Sequence, residues 1–376
     1  MANALLIPRP VGGELQLPIE QVRASSYTIP TESKESDGTL EWDATTLVVA
    51  EISAAGKTGI GYSYVDASAA NFIRRFLAPI LTGEDAMAVT RVWHTMRQKA
   101  RNQGRSSIVA MAISAVDCAL WDLKARVLGL PLSILLGPVR PSVPVYGSGG
   151  FTSFSIPELE QQLGDWAAAG IRRVKMKVGR EPAADRGRVE AARHAIGAEV
   201  GLFVDANGAY GRKQAEAMAA EFEKCGVSWF EEPVSAYDFE GLRMVRDHAP
   251  AGMEIAAGEY GYEVEYFHRL LESKSVDVLQ ADVTRSSGVT GFLAVAALCD
   301  AYHVPLSSHC APALHLHLGC AIPALRHLEY FSDHVRLERM LFDGTPALRN
   351  GQLYPDLSRP GHGLELKHAD AERFSV

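Results

Sequence analysis

Ionisable residues recur along the second half of the chain, each at the end of a short, largely apolar segment. The spacing between successive members is that of one strand followed by one helix. These residues are Lys175, Lys177, Asp205, Glu231, Glu259, Asp282, His309 and Glu329. In a barrel of parallel strands the active site is built at the carboxyl ends of the strands. The pattern therefore predicts that these side chains meet at one end of such a barrel.

Three of these residues are carboxylates from consecutive segments, namely Asp205, Glu231 and Glu259. If they converge in a poorly solvated barrel mouth, their mutual repulsion requires a neutralising cation. An all-oxygen ligand set without thiolates suits a hard ion, so we predict a Mg²⁺ site, with Mn²⁺ as the alternative metal. The competing interpretation is that each carboxylate caps the helix that follows it.

Lys175 and Lys177 are two residues apart, so both side chains point to the same face of a strand while apolar neighbours occupy the other face. We predict that both ammonium groups point into the barrel. There, burial and mutual repulsion are expected to lower the pKa of at least one lysine, which would then be a general base. The alternative is a pair of solvated lysines on an edge strand.

His309 and Asp282 come from neighbouring segments, which permits a hydrogen bond in which the aspartate orients the imidazole and raises its basicity. We predict that His309 faces Lys177 across the barrel axis, so that a substrate would lie between two bases. Cys310 raises the alternative of a Cys–His nucleophile. Its side chain is expected to point away from that of His309 if the strand continues through both residues.

The segments that carry these residues alternate with amphipathic helices, which predicts an α/β fold with a TIM-type (β/α)7-8 barrel. A doubly wound sheet is the structural alternative. The expected strands are Val143–Gly147, Arg173–Val178, Leu202–Asp205, Trp229–Glu231, Glu254–Ala257, Val276–Gln280, Val304–Ser307 and His327–Tyr330. We divide the chain into an N-terminal α+β capping domain (1–140), the barrel catalytic domain (141–330) and a C-terminal segment returning to the cap (331–376).

The predicted capping domain begins with two β-branched strands, Val22–Ile29 and Thr45–Ile52. Helical patterns then cover Ala69–Leu81, Ala86–Ala100 and Ser106–Leu128. Between the two strands, Pro30–Asp43 is polar and is predicted to be a loop that helps to select the substrate. Its composition is compatible both with an ordered lid and with a solvated connection.

Composition excludes several classes of protein. The chain has 376 residues, with Lys+Arg 37 against Asp+Glu 45 and a formal net charge of −8. Because no basic run is present, a nucleic-acid partner is not expected. No apolar stretch approaches the roughly 18 residues of a membrane span. The start lacks the features of a signal peptide, and the five cysteines lack metal-site spacing, so we expect a cytoplasmic protein.

The order of these motifs resembles the enolase superfamily, specifically its mandelate racemase subgroup. The motifs are Lys-x-Lys, Asp-x-Asn, Glu-Glu-Pro, Gly-Glu, Asp followed by Gly-Val-Thr-Gly, Ser-Ser-His and Leu-Glu, between Val143 and Glu329. One departure is visible, because the glycine pair usual after the sixth strand reads Ser287-Gly288. That change alters a turn but removes no functional side chain.

The resemblance implies a role for each matching residue. It assigns Mg²⁺ to Asp205, Glu231 and Glu259. Lys177 becomes one acid/base, with Lys175 as its electrostatic neighbour, and the His309–Asp282 pair becomes the other. Glu329 is expected to hydrogen-bond the substrate carboxylate, and Asn207 and Lys175 to help bind the substrate. The resemblance also implies a homo-oligomer.

The implied reaction is metal-dependent removal of the proton α to a substrate carboxylate through a Mg-stabilised enediolate. We favour dehydration of a sugar acid to a 2-keto-3-deoxy acid. Racemisation or epimerisation of a 2-hydroxy acid is the second possibility. A non-catalytic barrel that binds sugar acids is the third, although a binding protein needs no pair of bases.

Overall fold

The computed structural model describes residues 16–376. Its N-terminal part contains an antiparallel sheet in the order β1 (Gln21–Ser36), β2 (Glu41–Ala54) and β3 (Lys57–Tyr64). The helical elements that follow are α1 (Ser68–Phe72) with a π-helical continuation (Ile73–Leu77), α2 (Ala78–Leu81), α3 (Val89–Lys99) with a 3₁₀ continuation (Ala100–Gln103), α4 (Ile108–Leu128) and α5 (Leu132–Leu136). This part, which we call the cap, has its own buried core.

Helix α4 packs directly against β3, and both elements have sequences suited to this close approach. A Cβ atom at Gly59 would collide with the carbonyl oxygen of Ala119, and one at Gly61 with that of Ala115. Because only glycine lacks that atom, the sheet and the helix can approach until their backbones touch. Fully buried apolar residues of β2, such as Val48, complete the core of the cap.

Eight parallel strands form a barrel within the described residues. They are β4 (Val143–Gly149), β5 (Arg173–Lys177), β6 (Gly201–Asp205), β7 (Val227–Glu231), β8 (Glu254–Ala257), β9 (Val278–Ala281), β10 (Leu306–Ser308) and β11 (Leu328–Phe331). From β4 to β10 the order in the sheet follows the sequence, and β11 pairs with β4. A hydrogen bond of 2.8 Å from Arg326 N to Leu306 O joins the approach to β11 to β10. The sheet is therefore closed, and the doubly wound alternative is wrong.

A helix follows each barrel strand. These helices are α6 (Ile156–Ala168), α7 (Pro182–Ile196), α8 (Arg212–Glu223), α9 (Phe239–His248), α10 (Val264–Glu272), α11 (Gly288–Tyr302), α12 (Pro312–Ala321) and α13 (Ser332–Leu341). Strands β9 and β10 begin slightly later than the sequence patterns predict. None of the helices in the described part of the chain is long and apolar enough to cross a membrane.

The segment after α13 joins the barrel to the cap. Its elements are β12 (Phe342–Asp343), β13 (Leu348–Arg349), β14 (Gln352–Leu353), β15 (Glu365–Leu366) and α14 (His368–Ala371), with a terminal 3₁₀ turn (Glu372–Phe374). Strand β14 pairs with β4 of the barrel. On the cap, His362 N donates to Asp122 Oδ1 over 2.8 Å, and Ser26 Oγ donates to Val376 O over 2.8 Å. The numerical division at residues 140 and 330 stays a prediction.

The segment Pro30–Asp43 is not a loop, and this prediction was wrong. Strands β1 and β2 continue through it as a hairpin, with a register shift between Pro30 and Glu35. The tip of this hairpin packs on the barrel, where Thr152 N donates to Ser36 O over 2.8 Å. One part of the hairpin faces solvent and another lines a cavity, so its side chains are polar although its backbone forms regular strands. That is why an apolar alternation does not reveal the strands.

Glu35 is the buried acid of this hairpin. It is 6% exposed, and its Oε2 accepts a 2.9 Å hydrogen bond from Trp42 Nε1. Burial, and then the nearby Asp333 carboxylate, raise the pKa of Glu35 to about 8. Near neutral pH the folded hairpin therefore holds a proton that an exposed glutamate would have released.

We predict that Glu35→Gln stabilises the protein at alkaline pH. The folded state keeps the Glu35 proton until about pH 8, whereas the ordinary pKa is 4.5. As the pH rises between these values, the wild-type free energy of unfolding should fall relative to that of the variant, by roughly 1–3 kcal/mol in total. Urea unfolding at pH 5 and pH 9 measures this difference.

Glu32→Gln is the matched control, because Glu32 lies on the same strand and is exposed. The free energy of unfolding of this variant should depend on pH as that of the wild type does. If the free energies of wild type and Glu35→Gln changed with pH in parallel, the raised pKa of Glu35 would be contradicted.

Candidate active site

A cavity of about 380 Å³ lies between the cap and the carboxyl ends of the barrel strands. The cap contributes the hairpin residue Trp42 to its wall, and the barrel contributes Lys177, Glu259, His309 and Glu329. This volume is within the range typical of small-molecule sites. The predicted barrel-mouth site therefore exists as a partly enclosed space, one wall of which is supplied by the cap.

The three predicted metal ligands converge at this end of the barrel. Carboxylate oxygens of Asp205, Glu231 and Glu259 lie within 4.8 Å of one another, and all three residues are buried. The helices that follow them begin after other residues, with Gly211, Asp238 and Glu263 at the N-cap positions. The interpretation of these carboxylates as helix caps is therefore wrong.

The chemistry of this group fits a divalent cation. Oε2 of Glu259 is buried without a hydrogen-bond partner among the described residues. Burial, and then the charge of Asp205, raise the pKa of Glu231 well above its ordinary value. Clustered carboxylate oxygens, one of them unsatisfied, are the donors that Mg²⁺ prefers, and a cation would relieve the repulsion among them.

Both lysines of β5 are buried and paired with carboxylates. Lys175 Nζ lies 2.6 Å from Glu231 Oε1 and 2.7 Å from Glu329 Oε1. Lys177 Nζ donates to Asp205 Oδ2 over 2.5 Å. The prediction that both point into the barrel is confirmed by these contacts, and the alternative of solvated lysines is wrong.

The expected lowering of a lysine pKa does not occur in this arrangement. Burial favours neutral Lys177, but the carboxylates of Asp205, Glu259 and Glu231 together outweigh burial and the repulsion from Lys175, so the pKa of Lys177 is raised. The same balance with Glu231 and Glu329 raises the pKa of Lys175. The spacing of the two lysines reveals their mutual repulsion but not how closely the carboxylates approach them.

His309 and Asp282 form the predicted pair. His309 Nδ1 and Asp282 Oδ2 are 2.8 Å apart, and Asp282 Oδ1 accepts from Thr284 N over 2.7 Å. Burial alone would raise the pKa of Asp282, but the hydrogen bond and charge of His309 hold that pKa below its usual range. The ring is thereby oriented with Nε2 toward Glu259, whose Oε2 lies 3.4 Å away.

Cys310 does not point away from His309, so this expectation was wrong. Strand β10 ends at Ser308, and Cys310 has a φ of 51°, which turns its Sγ to 3.3 Å from His309 Nε2. Burial, and then the charge of Glu329, raise the pKa of the thiol well above its ordinary value. A thiol held in its neutral form does not support the Cys–His nucleophile.

Both carboxylate oxygens of Glu329 accept hydrogen bonds. Its Oε1 accepts from Ser148 Oγ over 2.6 Å, and its Oε2 accepts from Cys310 N over 2.7 Å. Burial alone would raise the pKa of Glu329, but the adjacent Lys175 ammonium holds it well below the ordinary value. The carboxylate is therefore a fixed anion, which can accept a hydrogen bond from a protonated group of a substrate.

Asn207 also lines the cavity, with a φ of 45° and a buried Oδ1 that lacks a partner among the described residues. Arg285 and His334 are among the lining residues that the sequence reasoning missed. Arg285 donates through Nη1 to Glu259 O over 3.1 Å, and His334 lies in the first turn of α13. Both follow a strand end by several residues, so the regular spacing of ionisable residues at strand ends does not reveal them.

The chain matches known families over most of its length. Residues 158–371 match the enolase C-terminal domain-like family, and residues 34–137 match the mandelate racemase / muconate lactonizing enzyme N-terminal domain. The chain is 33% identical to 3,6-anhydro-alpha-L-galactonate cycloisomerase from Streptomyces coelicolor, over 95% of this chain and 99% of that protein.

Two solved structures extend the comparison. A mandelate racemase/muconate lactonizing enzyme-like protein from Rubrobacter xylanophilus is 53% identical, with a TM-score of 0.94 over 96% of this chain and 100% of that one. L-talarate/galactarate dehydratase from Salmonella typhimurium, liganded with Mg and L-lyxarohydroxamate, is 30% identical, with a TM-score of 0.89 over 100% and 97%. The predicted resemblance is confirmed: the chain belongs to the mandelate racemase / muconate lactonizing enzyme family of the enolase superfamily.

Proposed function

We propose that this protein is a Mg²⁺-dependent enzyme that dehydrates a sugar acid to a 2-keto-3-deoxy acid. The observation that carries the proposal is that two side chains able to exchange protons, Lys177 and His309, line one cavity with Glu259. Similarity to a dehydratase and a cycloisomerase that act on sugar acids supports the substrate class.

Asp205, Glu231 and Glu259 would hold the Mg²⁺. When bound there, Mg²⁺ supplies electrostatic stabilisation for the negative charge that develops on the substrate carboxylate as its α-proton leaves. Lys175, which lies 2.7 Å from Glu329, sits beside this group and provides a cation for the same carboxylate. Glu329 would donate a hydrogen bond to that carboxylate once it holds a proton.

Lys177 would exchange the proton on one face of the substrate α-carbon. Its Nζ donates to Asp205 Oδ2 in the structure, and it would act as a base once this ion pair is broken and the ammonium has released a proton to solvent. The neighbouring Lys175 ammonium favours the neutral form of Lys177 through repulsion.

His309 would act on the opposite face. For dehydration, its Nε2 gives a proton to the β-hydroxyl group as the Cβ–O bond breaks, and water leaves. The enol that remains then becomes the keto acid. Asp282, at 2.8 Å from Nδ1, keeps the ring oriented and stabilises its protonated form.

Racemisation or epimerisation of a 2-hydroxy acid uses the same two bases, with the second returning a proton instead of expelling a hydroxyl group. A sugar-acid-binding barrel without activity is the candidate of another class. The burial and alignment of both bases argue against a binding protein, which needs no proton exchange.

We also propose, from family membership alone, that the chain forms a homo-oligomer.

We expect Mg²⁺ to raise the melting temperature of the wild-type protein. A ligand at one hundred times its Kd stabilises a folded protein by about 2.7 kcal/mol. Glu259→Gln should lose most of this gain because it removes one carboxylate ligand. Differential scanning fluorimetry with and without Mg²⁺ measures the shift.

Glu254→Gln is the matched control for the metal experiment. Glu254 is at the other end of β8, is 39% exposed in its side chain and pairs with Arg326. This variant should keep the full response to Mg²⁺. A wild-type response in Glu259→Gln would exclude Glu259 as a ligand.

The two-base arrangement predicts distinct losses in two variants. With Mg²⁺ and a library of sugar acids in D₂O, Lys177→Ala and His309→Asn should each lose α-proton exchange for one substrate configuration, by roughly 100-fold or more. Keto-acid formation should require both bases. NMR detects the exchange, and a colorimetric assay detects the keto acid.

His303→Asn is the control, because His303 is exposed on the approach to β10 and has a φ of 55°, which asparagine tolerates. Exchange with inversion and without keto acid would identify a racemase or epimerase. Absence of exchange across the library would support a binding protein, and full exchange in both variants would overturn the two-base assignment.

A further inference from the structure

The two walls of the active-site cavity differ in charge. The lining cations Lys177 and Arg285 both belong to the barrel, where their formal charges balance those of Glu259 and Glu329. The cap side of the cavity carries two carboxylates, Asp37 in the hairpin turn and Asp66 after β3. Substrate groups that reach the cap therefore meet negative charge.

The carboxylates of the cap are held in place by local structure. Asp37 Oδ1 accepts from Leu40 N over 2.7 Å, and Asp66 Oδ1 accepts from Ser68 N over 2.9 Å. The hydrogen bonds from the Ser68 hydroxyl and backbone lower the pKa of Asp66, so this acid is charged at neutral pH. The hydroxyl-bearing residues Thr45 and Thr46 line the same wall.

His334 is a further lining residue with an unsatisfied polar atom. It is 8% exposed, and its Nδ1 is buried without a partner among the described residues. The ring stacks on Tyr64 at 12° between planes and lies edge-on to Phe331, with centroids 4.9 Å apart. Two aromatic neighbours thus fix the orientation of an imidazole that faces the cavity from α13.

This imidazole is neutral at ordinary pH. Burial, and then the charge of His309, lower the pKa of His334 to about 3. A neutral imidazole donates or accepts a hydrogen bond but supplies no positive charge. It therefore suits a hydroxyl group better than a carboxylate.

We propose that the site takes a sugar acid with a single carboxylate, an aldonate, in preference to the dicarboxylate aldarate, and that His334 binds a hydroxyl group remote from the reacting carboxylate. This inference rests on the proposed function, because it requires the reacting carboxylate to lie at the barrel end. The remote end of the chain then reaches Asp37, Asp66 and His334.

Charge explains the preference. The terminal hydroxyl of an aldonate can hydrogen-bond to His334 or to the threonine hydroxyl groups. The second carboxylate of an aldarate would lose water and approach the like charges of Asp37 and Asp66. At the short range and intermediate dielectric of a partly enclosed site, this repulsion corresponds to roughly 10- to 100-fold in kcat/KM.

The test compares aldonates with the aldarates of the same configuration, using the full chain with Mg²⁺. Keto-acid formation and α-proton exchange are followed for each pair. We expect at least one aldonate to react with a kcat/KM roughly 10- to 100-fold above that of its aldarate. An aldarate that reacts as well as its aldonate would overturn this inference.

Asp66→Asn keeps the hydrogen bond to Ser68 N and removes the charge. The kcat/KM of the aldarate should therefore rise relative to that of the aldonate, mainly because its KM falls. His334→Phe keeps the ring stack and removes both nitrogens. It should raise KM for the aldonate while leaving exchange of a short 2-hydroxy acid, which lacks remote hydroxyl groups, unchanged. A purely structural role for His334 would change both substrates equally.

Asp43→Asn is the control, because Asp43 is an exposed acid of β2 that does not line the cavity. It should leave the ratio of kcat/KM for the aldonate to kcat/KM for the aldarate unchanged. If neither series exchanges its α-proton, the proposed function itself fails. If exchange occurs without preference for aldonates, or if Asp66→Asn leaves the ratio unchanged, only the present inference fails.

Discussion

The buried carboxylates at the mouth of the barrel repel one another, and much of the site is arranged around that repulsion. Asp205, Glu231 and Glu259 bring their oxygens within 4.8 Å of one another, where water cannot screen them. Lys175 and Lys177 offset part of the charge through direct ion pairs. The rest requires a cation, so metal binding and the integrity of the barrel mouth are coupled.

Closure of the barrel is what places these charges together. Each acid stands at the carboxyl end of a parallel strand, and register aligns Lys177 with Asp205 and Asp205 with Glu231. Below them, Trp229 donates to Glu231 Oε2 over 3.0 Å and stacks on Phe203. An aromatic floor under the acids thus excludes water and fixes one ligand through its indole N–H.

Sequence reasoning succeeded where backbone geometry alone decides the outcome. Alternation along β5 placed both lysines inside, and parallel strands placed the acids together. It failed where distances or local backbone conformation decide. The left-handed conformation of Cys310 turned its thiol toward His309, and close carboxylates reversed the expected pKa shift of Lys177. The hairpin through Pro30–Asp43 was missed because strands at a cavity mouth need not be apolar.

The contact between Ser26 and Val376 has a consequence for how the chain folds. These residues are separated by 350 positions, yet they join the first strand of the cap to the terminal segment. The cap sheet cannot make these contacts until the barrel and the segment after it have been synthesised. Completion of the cap is therefore a late event of high contact order, although β1, from which the hairpin over the cavity extends, already pairs locally with β2.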